Sequence, residues 1–284
     1  MPTTDLQRKA NAFRELNLSG GLILPNAWDA ASARVLELAG FPAIATASAA
    51  IAFARGFADG EGIGRDQMLL EIALIASRVA VPVSADIEAG YGPTTADVEA
   101  TVEGVIAGGA VGINLEDSQP DGNAEPLFPL VDAANRVGAA RSVADRHGLA
   151  LTINARTDAF LLGLGVSDAA RLAIAVERGQ AYLAAGADVI FVPGLLDPAL
   201  VRQVADGIGG PVSLLAGPGA PPAAELFAAG ASRISVGPHL MLSTLGHLRT
   251  VADGLRARGR FDAFETEHVP FGEANAMFET ATRS

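Results

Sequence analysis

Residues 83–117 read VSADIEAGYGPTTADVEATVEGVIAGGAVGINLED. Val83–Ala85 and Val111–Leu115 are short apolar runs, and Thr95–Ala107 between them carries its apolar residues at helical spacing. Gly108-Gly109 stops that helix, because glycine takes the left-handed conformation that a helix end needs. A strand, a helix and a second strand in this order form a βαβ unit with parallel strands. Both strands run into acidic residues, Asp86-Ile87-Glu88 after the first and Glu116-Asp117 after the second.

The same alternation extends in both directions. Further apolar runs stand at Gly21–Pro25, Ala43–Thr46, Leu151–Ala155, Val189–Val192, Val212–Leu215 and Arg233–Val236. Helical spacing marks Ala30–Ala39, Asp66–Val79, Asp168–Ala185 and Pro198–Ile208. Eight strands joined by helices predict an α/β fold, a (β/α)8 TIM barrel. The rival is a doubly wound open sheet, but no G-x-G-x-x-G follows the first strand. Nothing marks a linker, so residues 1–284 are read as one domain, with a helix from about His239 to Arg258 and 259–284 as a C-terminal extension. Phe261, Phe264, Phe271 and Phe278 predict that the extension packs on something, a partner subunit being one option.

The formal net charge of −12 argues against nucleic acid and anionic membranes as partners. The absence of cysteine removes disulfides, zinc–thiolate sites and thiol nucleophiles. Residues 1–18 are polar and lack the apolar core of a signal peptide, and no apolar run is long enough to span a bilayer. A soluble cytoplasmic protein is expected.

In a barrel of this kind, catalytic groups stand at the C-terminal ends of the strands. Asp86, Glu88 and Glu116 come from adjacent strands at that end. Carboxylates brought so close repel unless a cation joins them. Oxygen donors without Cys or His point to Mg²⁺, with Mn²⁺ as the alternative. Arg156, one strand further round, is placed to fork onto a substrate carboxylate. Together they suit a small 2-oxo acid whose enolate charge a metal would steady. Bland readings stand beside these: Asp97, Asp117 and Asp158 as helix caps, Asp59 as a turn residue, and Arg156 as a neutralising partner of Asp158. His147 and His268 read as surface residues, His239 stands where it could approach the site, and Trp28 lines a pocket or simply packs.

At these residues the chain resembles the isocitrate lyase / phosphoenolpyruvate mutase superfamily over nearly its whole length. The pieces that carry the resemblance are LPNAWDAASARVLELAGFPAI (24–44), ADIEAGYG (85–92), GINLEDS (112–118), INARTDAF (153–160) and QAYLAAGADVIFVPG (180–194), with the loop through Asp59. The resemblance implies an Mg²⁺-bound 2-oxo acid or enolate, and a barrel with a swapped C-terminal helix in a homotetramer or homodimer. It implies that Asp86 is a direct metal ligand and that Asp59, Glu88 and Glu116 act on the metal through water. It implies that Arg156 clamps the substrate carboxylate, with Thr46, Ala47 and Ser48 binding the carboxylate and oxo groups partly through backbone N–H, and it matches Asn123 to a loop asparagine of phosphonate-active members.

The departures narrow the activity. Isocitrate-lyase-type members carry a K-[KR]-C-G-H loop with a catalytic Cys; here the segment after Glu116 reads DSQPDGNAEPLFP. Asp121 stands near the position of a lysine of the phosphonate-active members, and Pro193 ends strand six where relatives carry Glu or His. The expected activity is therefore a Mg²⁺-dependent lyase for a small, oxaloacetate-like 2-oxo carboxylate, cleaving or decarboxylating through an enolate, with Arg156, Glu116 and Asp59 in catalytic roles. The alternatives are phosphonopyruvate hydrolase or mutase chemistry, and a non-catalytic 2-oxo acid binding protein. The segment 117–129, rich in Pro, Gly, Asp and Asn, is expected to form a lid over the site.

Overall fold

A computed structural model describes residues 3–119, 125–265 and 268–279. After α1 (Thr4–Ser19) come β1 (Leu22–Leu24), β2 (Asn26–Ala27), α2 (Ala30–Leu38), β3 (Ile44–Thr46), α3 (Ser48–Ala54), α4 (Arg65–Ser77) and β4 (Val83–Asp86). There follow α5 (Thr95–Ala107), β5 (Gly112–Glu116), α6 (Leu130–His147), β6 (Thr152–Arg156), α7 (Asp168–Ala184), β7 (Val189–Phe191), α8 (Pro198–Ile208) and β8 (Val212–Leu215). The described chain ends with α9 (Ala223–Ala228), β9 (Ala231–Ser235), α10 (His239–Arg258) and α11 (Phe271–Glu279).

All strand pairs are parallel, in the order β1-β9-β8-β7-β6-β5-β4-β3-β2. The expected barrel is therefore present, with nine strands in place of eight. The difference lies at Pro25, which has no N–H to give a ladder. It divides the first strand, so that β1 pairs with β9 and β2 with β3, and the sheet comes round on itself. The Pro25 carbonyl still accepts from Ala45 N–H at 2.8 Å. Asn26 staples the same place: its Nδ2 donates to the Thr46 carbonyl at 2.8 Å, and its Oδ1 accepts from the backbone N–H groups of Val236 at 3.0 Å and Gly237 at 2.8 Å.

The floor of the barrel is closed by α1. Ser84, Gly112 and Thr152 stand level on neighbouring strands, on the same face as Asp86, which turns to the interior. A Cβ on Gly112 would meet the Phe13 ring at 2.6 Å and Ser84 Oγ at 3.0 Å, so glycine makes room for the fully buried ring. Burying such a side chain contributes about 2–3 kcal/mol.

The loop through Asp59 is preceded by α3, whose sequence SAAIAFA is rich in the strongest helix former. Asp97 is not itself the cap of α5: Thr94 caps, and Asp97 returns the bond from the third helical position. In the C-terminal extension α11 docks on α2, where Arg34 Nε donates to the Met277 carbonyl at 2.7 Å. Phe261, Phe264, Phe271 and Phe278 nonetheless remain largely exposed. Among the described residues no helix is long and apolar enough to cross a membrane.

Candidate active site

Three strands end on the residues that matter. Asp86, Glu116 and Arg156 are the last residues of β4, β5 and β6, and the ladder sets Asp86 beside Asn114 and Glu116 beside Arg156. A row of side chains crosses these strands inside the barrel. Asn154 Nδ2 donates to Asn114 Oδ1 at 2.8 Å, and Asn114 Nδ2 donates to Asp86 Oδ1 at 2.9 Å. Asp86 Oδ2 accepts from Ser48 N–H at 3.0 Å and Ser48 Oγ at 2.7 Å. Asp86 N–H in turn donates to Thr46 Oγ1 at 2.8 Å. The carboxylate is thus aimed by neighbours on both sides.

A pocket of about 200 Å³ opens above this row, lined by Thr46, Ala47, Ser48, Asp59, Asp86 and Arg156 among others. The structure therefore brings together most of the residues singled out from the sequence. It also shows what they are doing. The Ser48 N–H and hydroxyl serve Asp86, and the Ala47 N–H donates to the Ala27 carbonyl at 3.1 Å, so neither backbone donor waits for a substrate. Arg156 is engaged as well. Its Nε and Nη2 donate to the two oxygens of Asp158 at 2.6 and 2.9 Å, and its Nη1 pairs with Glu116 Oε2 at 2.6 Å. The neutralising role for Arg156 and its place in the pocket are both present.

Glu88 and Glu116 stand behind the pocket lining. Glu88 Oε1 accepts from the Tyr91 hydroxyl at 2.7 Å, and its Oε2 from Glu61 N–H at 2.6 Å. Glu61 Oε1 closes the circuit by accepting from Tyr91 N–H at 2.8 Å. All three residues have positive φ, at 66° for Glu61, 50° for Glu88 and 58° for Tyr91. Backbone of this kind persists only where its surroundings hold it.

The acidic groups press on one another. Burial pushes the Glu88 carboxyl up to about 7; the Tyr91 hydrogen bond pulls it back, while Asp86 and Asp59 push it further. Burial also raises Glu116, with Arg156 opposing and Asp158 and Asp86 adding to the rise. Asp59, at the exposed rim, is raised by desolvation and then by Asp86, with Arg156 opposing. Asp117 is no helix cap: it accepts from the Tyr182 hydroxyl at 2.6 Å, from Arg178 at 3.0 Å and from Asp158 N–H at 3.0 Å.

Among the described residues, no three acidic or histidine side chains stand close enough to hold a metal ion by direct bonds. The donor set still suits a hard cation. It is all oxygen, burial and then the charge of Asp86 raise the Asp59 and Glu88 carboxyls, and Asp86 is fixed at the pocket wall.

Asn123 lies outside the described residues, as does Asp121. The base of the segment expected as a lid is tied down: Ser118 bridges to Leu127, and Gln119 Nε2 donates to the carbonyls of Glu125 and Leu127. Trp28 packs against the core, and His239 rests over Gly217 at the barrel mouth. The sequence reading missed Asn26 and Arg233, which also line the pocket. A charged residue inside the short run ASRIS of a buried parallel strand was the available signal for Arg233.

A family model described as phosphoenolpyruvate phosphomutase matches residues 13–256. The chain belongs to this family. It stands in the isocitrate lyase / phosphoenolpyruvate mutase superfamily, as its motifs indicate. A crystal structure from Burkholderia cenocepacia J2315, described there as a candidate lyase/mutase, has a TM-score of 0.90 and 36% identity, with 98% of both chains covered. An oxaloacetate decarboxylase of Rhodopseudomonas palustris is 29% identical over 76% of this chain and 72% of its own. The structure of a phosphonopyruvate hydrolase in complex with oxalate and Mg²⁺ aligns with a TM-score of 0.82 and 26% identity, covering 95% of this chain and 94% of that one.

Proposed function

We propose that this protein is a Mg²⁺-assisted lyase that cleaves a carbon–carbon bond of a small 2-oxo carboxylate, with oxaloacetate as the model substrate and decarboxylation as the simplest case. The observation that carries this is the all-oxygen wall around Asp86, where Ser48 and Asn114 fix the carboxylate in one orientation beside Asp59 and Glu88, whose carboxyls burial raises. Asp86 would hold the metal directly, with Asp59, Glu88 and Glu116 reaching it through water. When bound, the metal supplies positive charge to the 2-oxo group and so steadies the enolate left by bond cleavage.

The chain's own residues do the rest. Ser48, Thr46 and Asn114 hold Asp86 in one orientation, so no reorganisation is needed when charge develops. Arg156 bridges Glu116 and Asp158 and presents positive charge to a substrate carboxylate. Asp59, exposed at the rim of the pocket, would be the group that hands a proton to the enolate carbon. The relatives named as oxaloacetate decarboxylase and as phosphonopyruvate hydrolase with oxalate and Mg²⁺ support a 2-oxo acid substrate. We also propose that the chain self-associates, as a homodimer or homotetramer.

The test is a panel of 2-oxo acids incubated with the protein and Mg²⁺ and followed by NMR, with oxaloacetate for carbon–carbon cleavage and phosphonopyruvate for phosphorus–carbon cleavage. Turnover of oxaloacetate that stops on chelation is the expected result. Turnover of phosphonopyruvate alone moves the assignment to phosphonate chemistry, and binding without turnover of any acid makes the protein a receptor.

A further inference from the structure

Several arginines inside the fold are well supplied with oxygen partners. Arg141 bonds Asp188 and the carbonyls of Gly186 and Leu151. Arg178 bonds Asp117, Tyr182 and the Phe128 carbonyl, and Arg136 bonds three loop carbonyls. Arg156 bonds two carboxylates. Arg233 differs. It stands on β9 inside the barrel, is 2% exposed, and neither its Nε nor its Nη1 has a hydrogen-bond partner among the described residues. Its guanidinium carbon lies 6.0 Å from the centre of the Phe13 ring, which forms the floor beneath it. Above, it lines the same pocket as Asp86 and Arg156.

A buried cation without a counter-ion is costly, and proteins keep one where something else completes it. Burial pulls the Arg233 guanidinium down to about 9, with Asp86 only partly opposing. Its neighbour in the ladder, Ser213, supplies a hydroxyl that also lacks a partner, and so does Ser84, another residue lining the pocket. This is a polar end of the pocket with unmet hydrogen-bonding capacity, where Arg233 stands on β9 and Asp86 on β4.

Resting on the 2-oxo acid reading above, we propose that Arg233 is a specificity-determining residue that binds the second carboxylate of a 2-oxo dicarboxylate, while the 2-oxo end lies against the Asp86 wall. One guanidinium neutralises one carboxylate; a dianionic phosphonate would need further cations at this end.

Calorimetry on the full chain with Mg²⁺ tests this, using pyruvate, 3,3-difluorooxaloacetate (a slow analogue with the second carboxylate) and phosphonopyruvate. The native chain is expected to bind the dicarboxylate roughly tenfold or more tightly than pyruvate, as a charge-assisted hydrogen bond allows. Arg233→Met should erase that preference and leave pyruvate affinity within about twofold. It should also leave the ligand-free melting temperature unchanged or higher, because an unpaired buried charge is removed. Arg233→Lys, which keeps the charge, should keep part of the preference, and it carries the test if the Met variant does not fold. A preference that survives in both variants overturns the proposal. So does an equal loss of pyruvate and dicarboxylate binding, which makes Arg233 structural. Arg233-dependent preference for phosphonopyruvate over the dicarboxylate overturns the carboxylate assignment. If the native chain binds neither 2-oxo acid, the function proposed above fails and this inference fails with it.

Discussion

Asp86 accepts three hydrogen bonds, from Ser48 twice and Asn114 once, and its substitution tests whether that orientation serves a metal. Asp86→Ala is expected to lower Mg²⁺ affinity beyond calorimetric detection, and unchanged affinity would remove the site. Arg156→Lys keeps one charge but cannot bridge Glu116 and Asp158 together. A loss of about 2 kcal/mol or more in transition-state binding is expected. Near-normal kcat/KM with a lowered melting temperature would make Arg156 purely structural. Glu88 gives a pH test. Its folded value near 7 exceeds its ordinary 4.5, so between these values the folded protein holds a proton that the unfolded chain has released. Stability contributed by that proton is present at low pH and lost as pH rises through about 7. The metal-free protein should therefore melt lower at pH 7.5 than at pH 5, Glu88→Gln should flatten that slope, and Mg²⁺ should stabilise more at the higher pH. The identities of these residues were readable from the sequence because acidic residues clustered at strand ends have few structural excuses. Their engagements were not, since the Tyr91–Glu88–Glu61 circuit depends on backbone with positive φ in two separate loops.

At the scale of the elements, periodicity found the long pieces and failed at the short ones. Thr95–Ala107, Pro198–Ile208 and His239–Arg258 match the expected ranges, because each carries enough turns to show its pattern. The divided first strand did not show, since a proline within an apolar run does not reveal that the residues on either side pair with opposite neighbours. Helix α3 was masked by its alanines, which mark no face. The contact between α1 and β5 is equally invisible in sequence and can be tested. Gly112→Ala would drive a methyl into the Phe13 ring, and overpacking of this kind costs about 1–3 kcal/mol. Phe13→Leu should cost stability on the native background but recover part of it beside Gly112→Ala. Additive losses in that double-mutant cycle, followed by chemical denaturation, would show that the two residues do not meet.

For the whole molecule, the surface beyond the barrel is the part still unaccounted for. Helix α10 buries only Met241 and Val251 among its described residues and leaves Leu242, Leu245 and Leu248 at 43, 40 and 59% exposed. Phe261 and Phe271 beyond it are 70 and 81% exposed. One exposed apolar side chain means little, but a series along one helix and its extension is the kind of surface that another chain covers. The net charge of −12 makes nonspecific association costly, so the contact has to be specific and apolar. Sedimentation at micromolar concentration is accordingly expected to show a dimer or tetramer. Leu245→Glu with Leu248→Glu should shift the protein to smaller species, because two charges placed in an apolar contact cannot be desolvated cheaply. The barrel itself should keep its far-ultraviolet circular dichroism, since both positions point away from the core. A native chain that sediments as a monomer across that range would show that no second copy covers this apolar face.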